Sequence, residues 1–371
     1  MNILLCSVGR RPYLVTWFRD ALAANGLEGR VIAADLDPLS PSRAFADDFL
    51  PAPPVADPGY RDWLGDLLSG RDISLAVSIN DFELSEWSHL PLAPEWAPLV
   101  RLSAASQRLV EDKYVMSTTF LASGPPAPRT WLGGAVDVAR AESRSAGKEP
   151  GFVVKGRFGS ASRGLRFTDA HGLAAAVASA VTEVTTRQGR PALEQDEINP
   201  LDLVIVQERI NGPEFGLDVV NDLDGNFTAV LARRKIAMRA GETDRAETVP
   251  AERFRAVAER VAQAVGHVGS VDVDVMVDDA DPDGVPRVID VNPRFGGGYP
   301  FSHLAGARVP HAYVAWAAGL PVSGEWLLSD AGVIGGKYVD AVAITGRCEE
   351  EQHPPPDQRE SSGRRRECRR Q

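Results

Sequence analysis

Short apolar runs that alternate with helical patterns constrain the fold of this chain most. Ile3-Leu4-Leu5-Cys6 ends in Ser7-Val8-Gly9. Val31-Ile32-Ala33-Ala34 ends in Asp35-Leu36-Asp37-Pro38, and Leu75-Ala76-Val77-Ser78-Ile79 ends at Asn80-Asp81. Helical patterns lie between them, at residues 13–22 and 60–68. Strands that alternate with helices pack as a parallel sheet, and ligands of such sheets sit beyond the carboxyl ends of the strands. Those ends here are residues 7–11, 35–37 and 80–83. The first turn, Ser7-Val8-Gly9-Arg10-Arg11-Pro12, lacks the three spaced glycines of a dinucleotide site.

Beyond residue 100 the pattern changes. A helix is predicted over 105–123, broken by Gly124-Pro125-Pro126. A strand follows at 151–155 and a long helix at Leu173–Thr186. Residues 204–207, 216–221 and 227–233 read as antiparallel strands, the last two joined by the turn residues Asp222-Leu223-Asp224-Gly225-Asn226. A helix is predicted over 254–265, a hairpin over 271–277 and 287–291, a helix over 311–318 and a final strand over 333–342. From residue 347 almost nothing apolar remains, which predicts a disordered tail over 347–371.

At 371 residues the chain can bury a large core divided into lobes. Its net charge of −11 argues against a general nucleic-acid or acidic-membrane partner. Three scattered cysteines make neither a disulfide framework nor a zinc site. No run reaches transmembrane length and the first residues lack a signal-peptide pattern, so the expected location is cytoplasmic.

Four stretches carry chemistry. In Val288-Ile289-Asp290-Val291-Asn292-Pro293-Arg294-Phe295-Gly296-Gly297-Gly298, alternate strand residues share a face, so the oxygens of Asp290 and Asn292 project together. Such hard oxygen donors suit Mg²⁺ bridging to phosphates, and Arg294 can hold a phosphate oxygen. Alone, the stretch reads equally as a strand end entering a glycine turn. In Phe152-Val153-Val154-Lys155-Gly156-Arg157-Phe158-Gly159-Ser160-Ala161-Ser162, a strand delivers a lysine to a small-residue loop whose N–H groups can approach an anion. The bland alternative is a hairpin loop. Gln207-Glu208, with Glu214 six residues on, places acids beside an apolar strand, either as acceptors for an adenine amino group and ribose hydroxyls or as acids flanking a Gly-Pro turn. Lys113 is ordinary by itself.

The order Lys113, Lys155 with its glycine loop, Gln207-Glu208 and Glu214, Asp274, then Asp290-x-Asn292-x-Arg294 resembles the ATP-grasp superfamily, and within it the carbamoyl-phosphate-synthetase-like carboxylate–amine ligases. The resemblance covers about residues 1–325. It implies an α/β and α+β ATP-grasp fold: an N-terminal Rossmann-like parallel-sheet (preATP-grasp) domain over 1–111, a small lid lobe over 112–206 and a large central lobe over 207–346. It implies Lys113 and Lys155 on ATP phosphates and Ser160, Ala161 and Ser162 in the lid loop. Glu208, beside Gln207, falls on adenine and Glu214 on ribose. Asp274, Asp290 and Asn292 fall as ligands for one or two Mg²⁺ ions (Mn²⁺ being an alternative), and Arg294 and Lys155 as catalytic residues. Two departures stand out. The family usually has Glu where Asp290 stands, and its nearest relatives often have Gln or Glu where Asp274 stands, with Asp272 as the competing candidate.

The implied activity joins a small carboxylate, with an amino acid as one option, to an amine through an acyl phosphate. The implied partners are therefore small molecules, with no nucleic acid or membrane, and a homodimer is left open. For the substrates we single out Lys235 and Arg239, Gly297 and Gly298, His303, and Asp81 and Glu83. Competing readings are a nucleotide-binding regulatory pseudoenzyme and a carboxylase-like or purine-pathway ligase.

Overall fold

The computed structural model describes residues 1–9, 11–144, 151–159, 164–186 and 199–344. Ser160, Ala161 and Ser162, and the tail over 347–371, lie outside the described residues. Strands β1 (Asn2–Cys6), β2 (Val31–Asp35), β3 (Asp48–Pro51) and β4 (Ile73–Ser78) form a parallel sheet in the order β3-β2-β1-β4. Strand β3 was not expected. It is short, begins with an acid and ends in proline, features tolerated only at a sheet edge. Side-chain alternation divides this sheet between two cores. Leu4, Cys6, Ile32 and Ala76 pack toward α2 (Tyr60–Gly70). Ile3, Leu5, Ala33 and Val77 pack toward α1 (Pro12–Ala24), in a cluster shared with Phe295, Tyr299 and Tyr313 of the C-terminal half. Helix α3 (Asp81–Ser88) starts at the carboxyl end of β4.

The helix predicted over 105–123 is two helices, α4 (Ala104–Glu111) and α5 (Lys113–Ser123). The break is Asp112. Its backbone is extended, and its Oδ1 accepts from the N–H groups of Tyr114 and Val115, capping α5. The Arg157 guanidinium grips the same carboxylate at 2.9 and 2.6 Å. Lys113 therefore opens a helix instead of lying within one.

A second sheet comprises β5 (Thr130–Leu132), β6 (Gly151–Gly156), β7 (Arg166–Asp169) and β8 (Val204–Glu208), antiparallel in the order β5-β8-β6-β7. Helices α6 (Val136–Arg144) and α7 (Leu173–Thr186) cover it, burying Trp131, Phe152, Val154, Leu173 and Val177.

The third sheet has six strands: β9 (Glu214–Asn221), β10 (Phe227–Arg239), β11 (Glu242–Val249), β12 (Ser270–Met276), β13 (Arg287–Asn292) and β14 (Ile334–Gly336), in the order β13-β12-β9-β10-β11-β14. Helix α8 (Glu252–Val265) backs it, stopped by Gly266 at φ +61°. Helices α9 (Tyr299–Leu304) and α10 (Val309–Ala317) return to the first sheet through α1. Two expectations are corrected here. Strand β10 runs on to Arg239, because the polar β11 pairs with it. The strand expected over 333–342 shrinks to Ile334–Gly336, and Tyr338 and Val339 beyond it are exposed. Among the described residues no helix is long and apolar enough to cross a membrane.

Candidate active site

Antiparallel pairing of β12 with β13 sets Asp272 opposite Asn292 and Asp274 opposite Asp290. All four side chains share one face by strand alternation. Val273, Val275, Val288 and Val291 turn the other way into the core under α8. Three lysines from three different elements converge on this polar face. Lys113, at the start of α5, places Nζ 2.8 Å from Asp290 Oδ1 and donates to the Gly159 carbonyl at 3.1 Å. Lys155 on β6 donates to the Ile289 carbonyl at 2.9 Å. Lys235 on β10 lies 2.6 Å from both Glu214 and Asp274.

Lys113, Lys155, Glu214, Asp274 and Asp290 line one cleft between the second and third sheets, together with Gln207, Glu208 and Gly159. The rest of the lining is apolar, with Val153, Phe167, Ile210 and Met276, a surface that suits the face of a flat base. Glu208 stands near two arginines, 3.5 Å from Arg129 and 3.8 Å from Arg287. The Gln207 amide turns inward, donating to Thr130 at 3.0 Å and to Ser117 at 3.4 Å.

Burial sets the electrostatics. Desolvation pulls Lys155 down to about 8, although Asp290 opposes this. Burial alone would raise Asp290, but Lys113 and Lys155 outweigh it and hold it below the ordinary carboxylate range. Desolvation would likewise lower Lys235, yet Asp274 and Glu214 push it up. Glu214 and Asp274 share that one ammonium; burial raises both, with repulsion from Asp274 added at Glu214 and from Asp272 and Asp290 added at Asp274. A further cation beside them would relieve that repulsion. Two carboxylates and the Asn292 amide on one face make a donor set of the kind Mg²⁺ takes. Among the described residues no three acidic, histidine or cysteine side chains are gathered on one point in metal-binding geometry.

Arg294 leaves β13 and meets Asp81 of the first lobe, Nε to Oδ1 at 2.7 Å and Nη2 to Oδ2 at 3.2 Å. Its Nη2 also lies 3.5 Å from Asn292 Oδ1. Several residues singled out for substrate lie elsewhere. His303 is stacked on Trp17, with ring centroids 3.8 Å apart, and burial lowers it to about 3. The Glu83 carboxylate is buried under the first sheet, accepting from Ser7, Ser78 and Tyr60. Arg239 is exposed at the end of β10, opposite Glu242. Gly297 lies against Glu242, and Gly298 against Arg233, where a Cβ would come 2.0 Å from the guanidinium Nε.

That arginine is a feature sequence reasoning passed over. Arg233 is completely buried, 2.6 Å from both Asp218 and Asp272, and Ser302 donates to Asp218 at 2.6 Å. Asp272 is thereby committed to Arg233. The available signal was parity: Arg233 sits two residues before Lys235 and so shares its face of β10.

The ATP-grasp domain family model matches residues 110–298, and the model of the PylC-like N-terminal domain matches residues 3–90. The chain belongs to the ATP-grasp family, with a PylC-like first domain. Similar solved structures include the biotin carboxylase domain of the Hydrogenobacter thermophilus 2-oxoglutarate carboxylase in complex with MgADP, ADP and bicarbonate. That chain is 17% identical, with 90% of this chain and 73% of that one covered at a TM-score of 0.66. A Campylobacter jejuni biotin carboxylase–β-γ-ATP complex is 16% identical over 90% and 74% of the chains at a TM-score of 0.66. The N5-carboxyaminoimidazole synthetase of Staphylococcus aureus, complexed with ADP, is 15% identical over 87% and 78% at a TM-score of 0.61. These likenesses establish the ATP-grasp fold. No curated protein matches the chain by sequence.

Proposed function

We propose that this protein is an ATP-dependent ligase that joins a small carboxylate to an amine through an acyl phosphate. The observation that carries the reading is the convergence of Lys113, Lys155 and Lys235 on the paired acids Asp274 and Asp290, beside an apolar pocket in one cleft. ATP lies between residues 112–206, acting as lid, and residues 207–346, with its base against Val153, Phe167 and Met276. Glu208 accepts from adenine and Glu214 from ribose, and Lys113 and Lys155 hold the phosphates. Asp274, Asp290 and Asn292 would hold one or two Mg²⁺ ions, which neutralise phosphate charge when bound.

A substrate carboxylate oxygen attacks the γ-phosphorus and ADP leaves. Lys155 and Arg294 stabilise the charge spread over the transferring group, which is where catalysis of phosphoryl transfer chiefly resides. The amine then attacks the acyl carbon, inorganic phosphate departs, and the amine gives up a proton. No side-chain nucleophile is needed.

The test is ADP and phosphate release across paired carboxylates and amines, with product mass measured. Amino acids belong in the screen, and so does bicarbonate, which a similar solved structure holds. Asp290→Ala is expected to lower turnover at least about a hundredfold with the fold intact, and normal turnover in that variant would sink the metal assignment. MgATP binding without phosphate release for any pair would instead support a regulatory nucleotide-binding protein.

A further inference from the structure

Arg294 is the one proposed catalytic group whose side chain is held by the first lobe. The contact is a fork: Nε and Nη2 each meet one Asp81 oxygen, at 2.7 and 3.2 Å. A two-point grip fixes the guanidinium plane, which a single contact does not. The pair is largely withdrawn from water, with side-chain exposures of 11% for Arg294 and 29% for Asp81. Among the described residues Nη1 meets no partner, so the fork leaves one amino group to a reactant.

Asp81 is itself held. It is the first residue of α3, whose turn is capped by Asn80, with Oδ1 accepting from Phe82 N at 2.9 Å. Two residues on, the buried Glu83 carboxylate accepts from Ser7 at 2.9 Å, Ser78 at 2.5 Å and Tyr60 at 2.6 Å. The ends of β1 and β4 and helix α2 thus lock the turn that presents Asp81. Nothing in this arrangement leaves Glu83 available to a substrate.

We infer that Asp81 is a positioning residue, which orients Arg294 toward the transferring phosphoryl group and so makes the first lobe part of the catalytic device. The inference rests on the ligase reading above, through the role given there to Arg294. It separates two acids that sequence reasoning had grouped as substrate contacts: Asp81 acts through Arg294, and Glu83 anchors the turn beneath it.

The test compares ground-state and transition-state-like binding in the full chain, with MgADP alone and with MgADP plus fluoroaluminate as a planar phosphoryl mimic. Wild type is expected to bind the fluoroaluminate complex more tightly than MgADP. Asp81→Ala is expected to lower that affinity on the order of ten- to a hundredfold, since small misplacements of a positioning group have costs of this size. MgADP affinity should stay within about twofold, because the nucleotide cleft is lined by other residues. Arg294→Ala should lose at least as much, and Asp81→Ala added to Arg294→Ala should cost nothing further, because coupled residues are non-additive. Asp81→Asn, which keeps one acceptor oxygen, should lose less; it carries the comparison if the alanine variant unfolds.

Wild-type behaviour in both Asp81 variants, beside a loss in Arg294→Ala, overturns the inference and leaves the ligase reading standing. So does an additive double variant. Tight MgADP binding with no gain from fluoroaluminate overturns the assignment of Arg294, and the inference with it. Failure of wild type to bind MgADP overturns the ligase reading itself.

Discussion

Lys155 is a half-buried lysine whose proton the fold holds weakly. It titrates at about 8 instead of its ordinary 10.5 because burial disfavours its charge. Between those values the unfolded chain carries more protons than the folded one, so this group's contribution to stability rises with pH across the window. Phosphate binding moves the other way, since it requires the ammonium. Measured kcat/KM for ATP should therefore fall as pH rises through about 8. Lys155→Met should flatten that limb and weaken ATP by about tenfold or more. A limb that persists unchanged in the variant would assign it to another group. At this scale the sequence was informative where chemistry is local. That Asp290 and Asn292 share a face was legible from strand parity, and Lys155 stood out by its place between a strand and a glycine loop, whereas Asp274 came only from the family resemblance. His303 was not, because stacking on Trp17 depends on where α1 lies.

The glycine turn after β13 is the element whose meaning the packing changed. The sequence singled out Gly297 and Gly298, in the run that follows Phe295, for the substrates. In the structure a Cβ on Gly296 would come 2.1 Å from Asp272, and one on Gly298 2.0 Å from Arg233. These glycines make room for a buried ion set. Gly298→Ala should lower stability by about 3 kcal/mol, through overpacking and displacement of a buried charge pair, seen as a lower urea midpoint. Gly70→Ala, where nothing lies within 4 Å, should stay within about 1 kcal/mol of wild type. Equal shifts in the two variants would remove the packing explanation. Other elements show what periodicity can and cannot reach. Helix α7 and strand β12 were legible because their apolar periods are regular. Strand β11, Glu242-Thr243-Asp244-Arg245-Ala246-Glu247-Thr248-Val249, is held by pairing with β10 and carries little apolar signal of its own. The break at Asp112 follows from a side chain competing for its own helix's N–H groups.

Across the whole molecule the first lobe is joined to the third sheet by Arg11, Glu242 and Lys337. Arg11 meets Glu242 at 2.5 Å and donates to the Phe295 carbonyl at 3.0 Å, and Lys337 lies 2.9 Å from the same carboxylate. Burial raises Glu242, but the two cations outweigh it and bring it down to about 2. A depressed acid stabilises the fold fully above its ordinary 4.5 and loses that contribution as pH falls through about 2. Glu242→Gln should therefore cost stability at pH 7, by no more than about 1 kcal/mol because the carboxylate is half exposed. The gap from wild type should close as pH approaches 2 and narrow in high salt. A gap independent of pH would mean that shape, not charge, joins the lobes there.

Local chemistry, read along the chain, determined that there would be a parallel sheet first and antiparallel sheets after it, and which residue types could hold phosphates and a dication. Those are consequences of period-2 and period-3.6 patterning and of donor chemistry, properties of a few residues at a time. Tertiary structure alone decided which charges meet. Asp81 and Arg294 are 213 residues apart in sequence and form a two-point pair. Arg233 reaches Asp218 and Asp272 from a neighbouring strand, and Glu83 is withdrawn from the site by three hydroxyls. The physical reason is that an ion pair depends on distance and burial, and both are set by how sheets and helices stack, which no stretch of sequence specifies by itself.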